Sequence, residues 1–259
     1  AVLQLSDGRE VPLNSTAIIQ EQEGVVIKND SSRVLDYTLA TTKSEPLYNT
    51  ITVPAGGEFQ VLLSDGSSVR LNSCSALTYP VPFTGDVREV KLTGEAYFDV
   101  TKSDKPFIVK MADIDVRVLG TSFNVNTYDK DYIETVLVRG SVGVQVNGDS
   151  QEWRIRPNEL ARLDRKSKPV EVKEVDILPY VTWKEGHFLF KNQSLEKIMD
   201  IMARWYDVSV EFQDESIRNL HFTGDIKRHA NFSIILKALT SSVNVNYKLE
   251  GRELILYMK

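Results

Sequence analysis

The sequence predicts a mainly β protein. An irregular β-sandwich or a solenoid-like β domain fills residues 1–177, and a small α+β domain ordered β-α-β-β-α-β-β fills residues 178–259. Three observations carry this expectation. Short period-two alternations, broken by Asp-Gly and Asn-Gly turns, occupy the first two thirds of the chain. Before residue 190 there is no convincing helical spacing. After the charged segment Asp164 to Asp176 and Pro179, the apolar period changes to three and four residues, which places the boundary near residue 178.

Taken in order, Leu5-Ser6-Asp7-Gly8 opens a strand–turn–strand unit that ends at Leu13-Asn14. The same pattern returns at Leu63-Ser64-Asp65-Gly66 and ends at Leu71-Asn72. Ile18, Val25, Ile27 and the stretch from Val34 to Leu39 supply further short strands between the two units. Such an echo suggests stacked hairpins, with too few copies to choose between sandwich and solenoid. Phe59, Val61 and Leu63 alternate into the second turn, and Val69 and Leu71 alternate out of it. Gly94 to Asn126 reads as three consecutive strands with fixed turns. Val142, Val144 and Val146 run into Asn147-Gly148, a strong hairpin signal, with Trp153 and Ile155 on the return.

In the last third, Gly186 to Phe190 is the opening strand. Leu195, Ile198, Met199, Met202 and Trp205 then fall on one helical face, with Ser194 as N-cap and Glu196 favouring the positive end. Val208, Val210 and Phe212 alternate as a strand, and His221 to Ile226 forms another. Phe232, Ile235, Leu236 and Leu239 make a second helix behind Asn231. Val243 to Leu249 and Leu254 to Met258 close the chain as a hairpin through Glu250-Gly251.

The composition excludes several function classes. A net charge of −5 with scattered basic residues lacks the clustered positive surface of a nucleic-acid binder. The densest basic run, Arg162 to Lys168, holds Asp164 and reads as a solvated connection. A single cysteine rules out an internal disulfide, and Cys74, with no paired histidine nearby in sequence, reads as a small residue packed under a loop. Glu95 and Asp99 share one strand face like a glycosidase couple, but Tyr97 lies between them and no third acid supports the pair. Asp113 and Asp115 lack a calcium loop, and His187, His221 and His229 lack zinc spacing. Pro54-Ala55-Gly56-Gly57-Glu58 lacks the lysine of a phosphate loop and precedes a strand. No catalytic residue, cofactor site or metal site is assigned. Trp183, Trp205 and Tyr206 are the aromatics best suited to stack a sugar ring, with core packing as the competing reading.

What remains is recognition by strand edges, whose free N–H and C=O groups accept an incoming strand. Two strands are expected to offer such edges, the first through Phe222, Thr223, Gly224, Asp225 and Ile226 and the second through Leu254, Leu256 and Met258.

One block places the chain in a family. The run Phe59 to Asn72, then Leu77-Thr78-Tyr79-Pro80, Phe83, Arg88-Glu89-Val90, Gly94 to Val100, Pro106 to Val109 and Val118 to Val125 closely resembles the FecR domain over roughly residues 50 to 165. Trp183 to Phe190, with Arg204 to Val208 and Phe222-Thr223-Gly224, resembles the domain that follows it in many such regulators. That domain is similar to the short signalling domain of TonB-dependent transducers and secretins.

The resemblance implies the periplasmic sensor part of a single-span inner-membrane anti-sigma factor of a Gram-negative bacterium. Its implied partners are the periplasmic signalling domain of a TonB-dependent outer-membrane transporter and, through a cytoplasmic segment, an extracytoplasmic-function sigma factor. The imported substrate would be an iron–siderophore complex or a glycan. The chain starts at Ala1 with no initiator methionine, so the membrane span and the cytoplasmic segment are expected before residue 1. The other reading is a β-rich carbohydrate- or cell-wall-binding module that senses its ligand directly, through exposed coplanar aromatics. A hydrolase ranks last.

Overall fold

The two Asp-Gly turns of the echo close in the same way. In the computed structural model, which describes residues 1–30, 33–40 and 47–259, Gly8 N–H donates to the Leu5 carbonyl and Leu5 N–H to the Arg9 carbonyl, both at 2.9 Å. Gly66 N–H reaches the Leu63 carbonyl at 2.9 Å and Leu63 N–H reaches that of Ser67 at 2.8 Å. Asp7 and Asp65 each accept, at 3.0 Å, the N–H two residues on. Both glycines take the left-handed conformation the turn demands, at φ 84° and 81°. Yet the first turn joins Val2–Gln4 to Glu10–Pro12 in one sheet, and the second joins Phe59–Leu62 to Ser68–Leu71 in the other. The echo is a repeated turn rather than a repeated layer.

Among the described residues, the unit Ala1–Ile177 consists of two sheets, of nine and ten strands. One has nine strands in the spatial order Glu10–Pro12, Val2–Gln4, Leu47–Val53, Ser75–Val81, Arg88–Thr93, Phe107–Lys110, Ile114–Val118, Val142–Val146, Glu152–Ile155. The other has ten, in the order Ala17–Gln20, Val26–Asn29, Val34–Asp36, Phe59–Leu62, Ser68–Leu71, Glu95–Asp99, Ser122–Asn126, Tyr132–Arg139, Glu159–Asp164, Val170–Glu174. Except for the exchange of the first two strands, spatial order follows chain order in both. The chain therefore advances along a sandwich as it would along a solenoid, visiting one sheet and then the other. Where a single strand of the opposite sheet intervenes, neighbours pair in parallel, as Arg88–Thr93 does with Phe107–Lys110 and Val34–Asp36 with Phe59–Leu62. Where two intervene they pair antiparallel, as Leu47–Val53 does with Ser75–Val81.

One continuous core lies between the sheets. Val142, Val144 and Val146 point in while Gly143 and Gln145 point out, as the alternation requires. Phe98 stacks on Phe123 with ring centroids 5.0 Å apart, and Phe107 of the facing sheet meets Phe98 edge-on at 6.1 Å. A buried polar group ties in the first turn. Glu21 accepts the Ser6 N–H and hydroxyl at 2.9 and 2.7 Å, and Asn49 Nδ2 donates to both Glu21 and Tyr37. Tyr79 donates to Tyr37 at 2.8 Å, and burial raises both phenols above their ordinary pKa.

Arg88, 3% exposed, joins the two sheets at the second Asp-Gly turn. Its Nη1 lies 2.6 Å from Asp65 Oδ2 and 2.9 Å from the Thr101 carbonyl. Its Nε and Nη2 donate to the Lys105 carbonyl at 3.1 and 2.9 Å, and Nη2 also reaches the Leu119 carbonyl at 3.3 Å. These bonds engage all five donors of the guanidinium, which lies over the Phe107 ring. Gly94 performs the tightest crossing between sheets, since Thr93 ends a strand of one and Glu95 begins a strand of the other. Its φ is +93°, and a Cβ there would lie 2.7 Å from Ser75 Cα.

Three expectations need correction. Gly94 to Asn126 holds four strands, because Phe107–Lys110 and Ile114–Val118 form an antiparallel pair in the sheet opposite to Glu95–Asp99 and Ser122–Asn126. The basic run is the end of a strand and the tight turn that follows it, rather than a loose connection. Glu159–Asp164 and Val170–Glu174 pair as the last hairpin of the ten-stranded sheet, with Arg162 on Glu134 and Lys166 on Asp131, both at 2.6 Å. Helical turns also precede residue 190, at Gln22–Gly24, Leu178–Val181 and Thr182–Glu185, too short to leave a periodic signal.

The unit Leu178–Lys259 has the order β-α-β-β-α-β-β from His187 onward. Ser194 Oγ accepts the Lys197 N–H to cap helix Leu195–Tyr206, and Asn231 Oδ1 accepts the Ser233 N–H to cap helix Phe232–Ser241. Among the described residues no helix is long and apolar enough to cross a membrane.

Replacing Arg88 by methionine strands the Asp65 carboxylate and four carbonyl contacts, so urea denaturation of R88M is expected to show a loss of about 3–5 kcal/mol. G94A, forced to positive φ against Ser75, is expected to lose about 1–3 kcal/mol, and an unchanged midpoint would contradict the crossing geometry.

Candidate interaction surface

Among the described residues, strand His221–Lys227 pairs only with His187–Ser194, in a two-stranded antiparallel sheet. Arg228 N–H donates to the Gly186 carbonyl at 2.9 Å, and Leu195 N–H to the Leu220 carbonyl at 2.7 Å. Even-numbered residues from 220 to 228 thus turn their peptide groups toward the partner strand. By the alternation of an antiparallel ladder, Thr223 and Asp225 turn theirs to the free edge, whereas the Lys227 carbonyl accepts the Ala230 N–H at 3.0 Å. The irregularity of this ribbon lies in the other strand, between Phe190 and Gln193, where Asn192 takes φ 48° and its N–H donates to Thr223 Oγ1. Phe222 and Ile226 are half-buried against the core of the unit, while Thr223, Gly224 and Asp225 are exposed. Phe222, Thr223, Gly224, Asp225 and Ile226 are therefore brought together on one strand with an open side.

The second expected edge is not one. Glu253–Met258 lies in the middle of a three-stranded sheet, parallel to Ser209–Phe212 on one side and antiparallel to Val245–Glu250 on the other. Leu254 and Leu256 are 0% and 1% exposed, in the core beneath the two helices, and only Met258 emerges at the strand end. The unbroken run Leu254-Ile255-Leu256-Tyr257-Met258 was the available signal, since a strand apolar on both faces is an inner strand.

Next to the open strand sits a buried cation that residue spacing does not reveal. Arg228, 1% exposed, is enclosed by Trp183, Phe188 and Trp205. Its guanidinium carbon lies 3.7 Å from the Trp205 ring centre, 5.1 Å from that of Phe188 and 5.6 Å from that of Trp183. Its Nη1 donates to the Trp183 carbonyl at 2.9 Å, and its own carbonyl accepts from Trp205 Nε1 and the Tyr206 hydroxyl. Burial raises the Tyr206 phenol above its usual pKa. The three aromatics singled out for sugar stacking are committed to this arrangement, with Tyr206 stacked on Phe232 at 4.5 Å.

The other sequence candidates are framework. Four residues of strand hold Glu95 and Asp99 roughly 13 Å apart, beyond the separation of a glycosidase pair. Glu95 is buried and accepts from Asn72 and Asn124 at 2.7 and 3.0 Å, whereas exposed Asp99 accepts from Ser122 and Arg139. Asp113 pairs with Lys168 and Arg165, and Asp115 with Lys110. His187 meets Asp225 at 2.8 Å, and His221 the Asn219 carbonyl at 2.7 Å. Among the described residues no three histidine, cysteine or acidic side chains gather as a metal site. Cys74 is exposed rather than packed under a loop, because its φ of 58° turns the side chain outward between buried Ser73 and Ser75.

Comparison with known proteins matches the model described as "FecR protein" to residues 49–143 and that described as "FecR, C-terminal" to residues 187–256. The chain belongs to the FecR family. Two crystal structures of a "putative anti-sigma factor" from Parabacteroides distasonis ATCC 8503, at 1.65 and 2.50 Å, resemble this FecR-family chain at 28% identity and a TM-score of 0.73. They cover 81% and 82% of it and 99% of their own length. No curated protein matches the sequence. The second FecR model begins and ends within the smaller unit and spans the open strand and Arg228.

Truncating Leu256 to alanine is expected to destabilise the protein by about 2–5 kcal/mol, as for any buried leucine. T223S on the open strand, which keeps the hydroxyl that accepts the Asn192 N–H, should stay within about 0.5 kcal/mol of the parent, and the contrast in denaturation midpoints checks the reversed roles of the two strands.

Proposed function

We propose that this FecR-family chain is the periplasmic sensor part of a membrane anti-sigma factor, acting by protein–protein contact and without catalysis of its own. The observation that carries the reading is the open strand His221–Lys227, which turns the main-chain groups of Thr223 and Asp225 outward beside half-exposed apolar side chains within the region matched by the C-terminal family model. Membership in the FecR family and likeness to a protein described as an anti-sigma factor support the regulatory role.

In this reading the signalling domain of a TonB-dependent outer-membrane transporter docks on the smaller unit by adding a strand to His221–Lys227. Main-chain hydrogen bonds supply affinity, and the flanking side chains Phe222, Thr223, Asp225 and Ile226 supply selection. The signal then passes toward a membrane span and a cytoplasmic segment that holds an extracytoplasmic-function sigma factor. Release of that sigma factor is the output.

Calorimetric titration of the chain with the signalling domain encoded beside it tests the first step. Saturable binding is expected, and D225P, which removes one outward N–H, should weaken it at least about tenfold. No binding at high micromolar concentration would overturn the docking step, and equal affinity of the variant would overturn the strand edge as its seat.

A further inference from the structure

Residue 178 is where the chain enters the smaller unit, and residues 178–186 are its path to the first strand there. This path is two short helical turns, Leu178–Val181 and Thr182–Glu185, stopped by Gly186 at φ 82°. Segments this short do not hold themselves together, because each has few internal hydrogen bonds. Trp183 is nonetheless 5% exposed and Val181 7% exposed.

Arg228 is the residue that reaches this path from the end of the open strand. Its main-chain N–H bonds the Gly186 carbonyl, its side chain bonds the Trp183 carbonyl, and its guanidinium lies against the Trp183 ring. At the same time its carbonyl is held by Trp205 and Tyr206, the last two residues of helix Leu195–Tyr206. A planar guanidinium can stack and donate at once, which an ammonium cannot do. One residue thus fastens the end of His221–Lys227, the entry path and the helix end to one another.

We propose that Arg228 is a coupling latch: displacement of strand His221–Lys227 withdraws its guanidinium from the Trp183–Phe188–Trp205 cage and releases residues 178–186. The proposal rests on the docking role given above to that strand, and it supplies the regulation of that site. A strand added at the free edge pulls on Lys227, the covalent neighbour of Arg228. The latch then converts an event at an exposed edge into loosening of the segment through which the chain enters the unit.

The coupling is measured without any partner, so its failure is distinguishable from failure of the docking reading. Hydrogen exchange on the full chain compares amides of residues 178–186 with those of helix Leu195–Tyr206 in four proteins: parent, I226A, R228M and the double variant. Ile226 pairs with Phe188 at the cage wall, so I226A perturbs the strand from within. R228M is expected to speed exchange in 178–186 by about thirtyfold, and I226A alone by about tenfold. In the double variant I226A should add nothing further. Additive effects would overturn the latch, as would equal acceleration throughout the helix, which would mark Arg228 as ordinary core. Should R228M not fold, R228K, which keeps the charge and loses the planar fork, takes its place in the same cycle with a smaller rise and the same two overturning results.

Discussion

The guanidinium of Arg88 is the point on which the larger unit depends. A sandwich whose sheets exchange the chain so often needs its loops pinned at the layer boundary, where the polar groups between strands would otherwise be buried without partners. Arg88 stands at the start of a strand of one sheet, and its carboxylate partner Asp65 sits in a hairpin turn of the other. The remaining donors satisfy carbonyls at Thr101, Lys105 and Leu119, all in connections between strands. Asp65 meanwhile shapes its own turn by accepting from Ser67, whose hydroxyl in turn accepts the Thr101 N–H. Removing the cation would therefore loosen three connections together. A hydrophobic substitute of the same volume has no means of satisfying them.

The smaller unit uses the same device for a different end. Arg228 is as buried as Arg88, but its surroundings are aromatic faces as well as a carbonyl. Its neighbours along the chain are an open strand on one side and a helix cap on the other. The first cation holds a layered core in register, while the second holds the border between a rigid helix and an exposed strand. Both depend on a planar guanidinium.

Much of this was legible in the sequence because the governing physics is local. Asp-Gly turns, the Ser194 and Asn231 caps and the three-and-four spacing of Leu195 to Trp205 each involve residues within a few positions of one another, and each forms as read. The partners of a strand are not local. His221–Lys227 and Glu253–Met258 read alike as edges, and only pairing with Ser209–Phe212, over forty residues back, makes the second an inner strand. The two buried arginines were illegible for a related reason. Their partners are mostly carbonyl oxygens and ring faces, which every sequence contains, so spacing leaves no trace of the cage or the clamp. Cys74 was misread because its burial depended on a backbone angle rather than on its neighbours' polarity.

The agreement between spatial order and chain order in the two large sheets has a mechanical consequence. At the N-terminal end Ala17–Gln20 bonds to Val26–Asn29 close by along the chain, while Val2–Gln4 lies between nearby Glu10–Pro12 and distant Leu47–Val53. Tension applied at Ala1 therefore bears first on Val2–Gln4 and its two partners, and reaches the later strands only after these give way, instead of shearing all the strands at once. The opposite end, beyond Arg88, keeps its shape until the pull has travelled the length of the sandwich. Such a body yields by graded peeling from one end, with a threshold set by a few hydrogen bonds at a time.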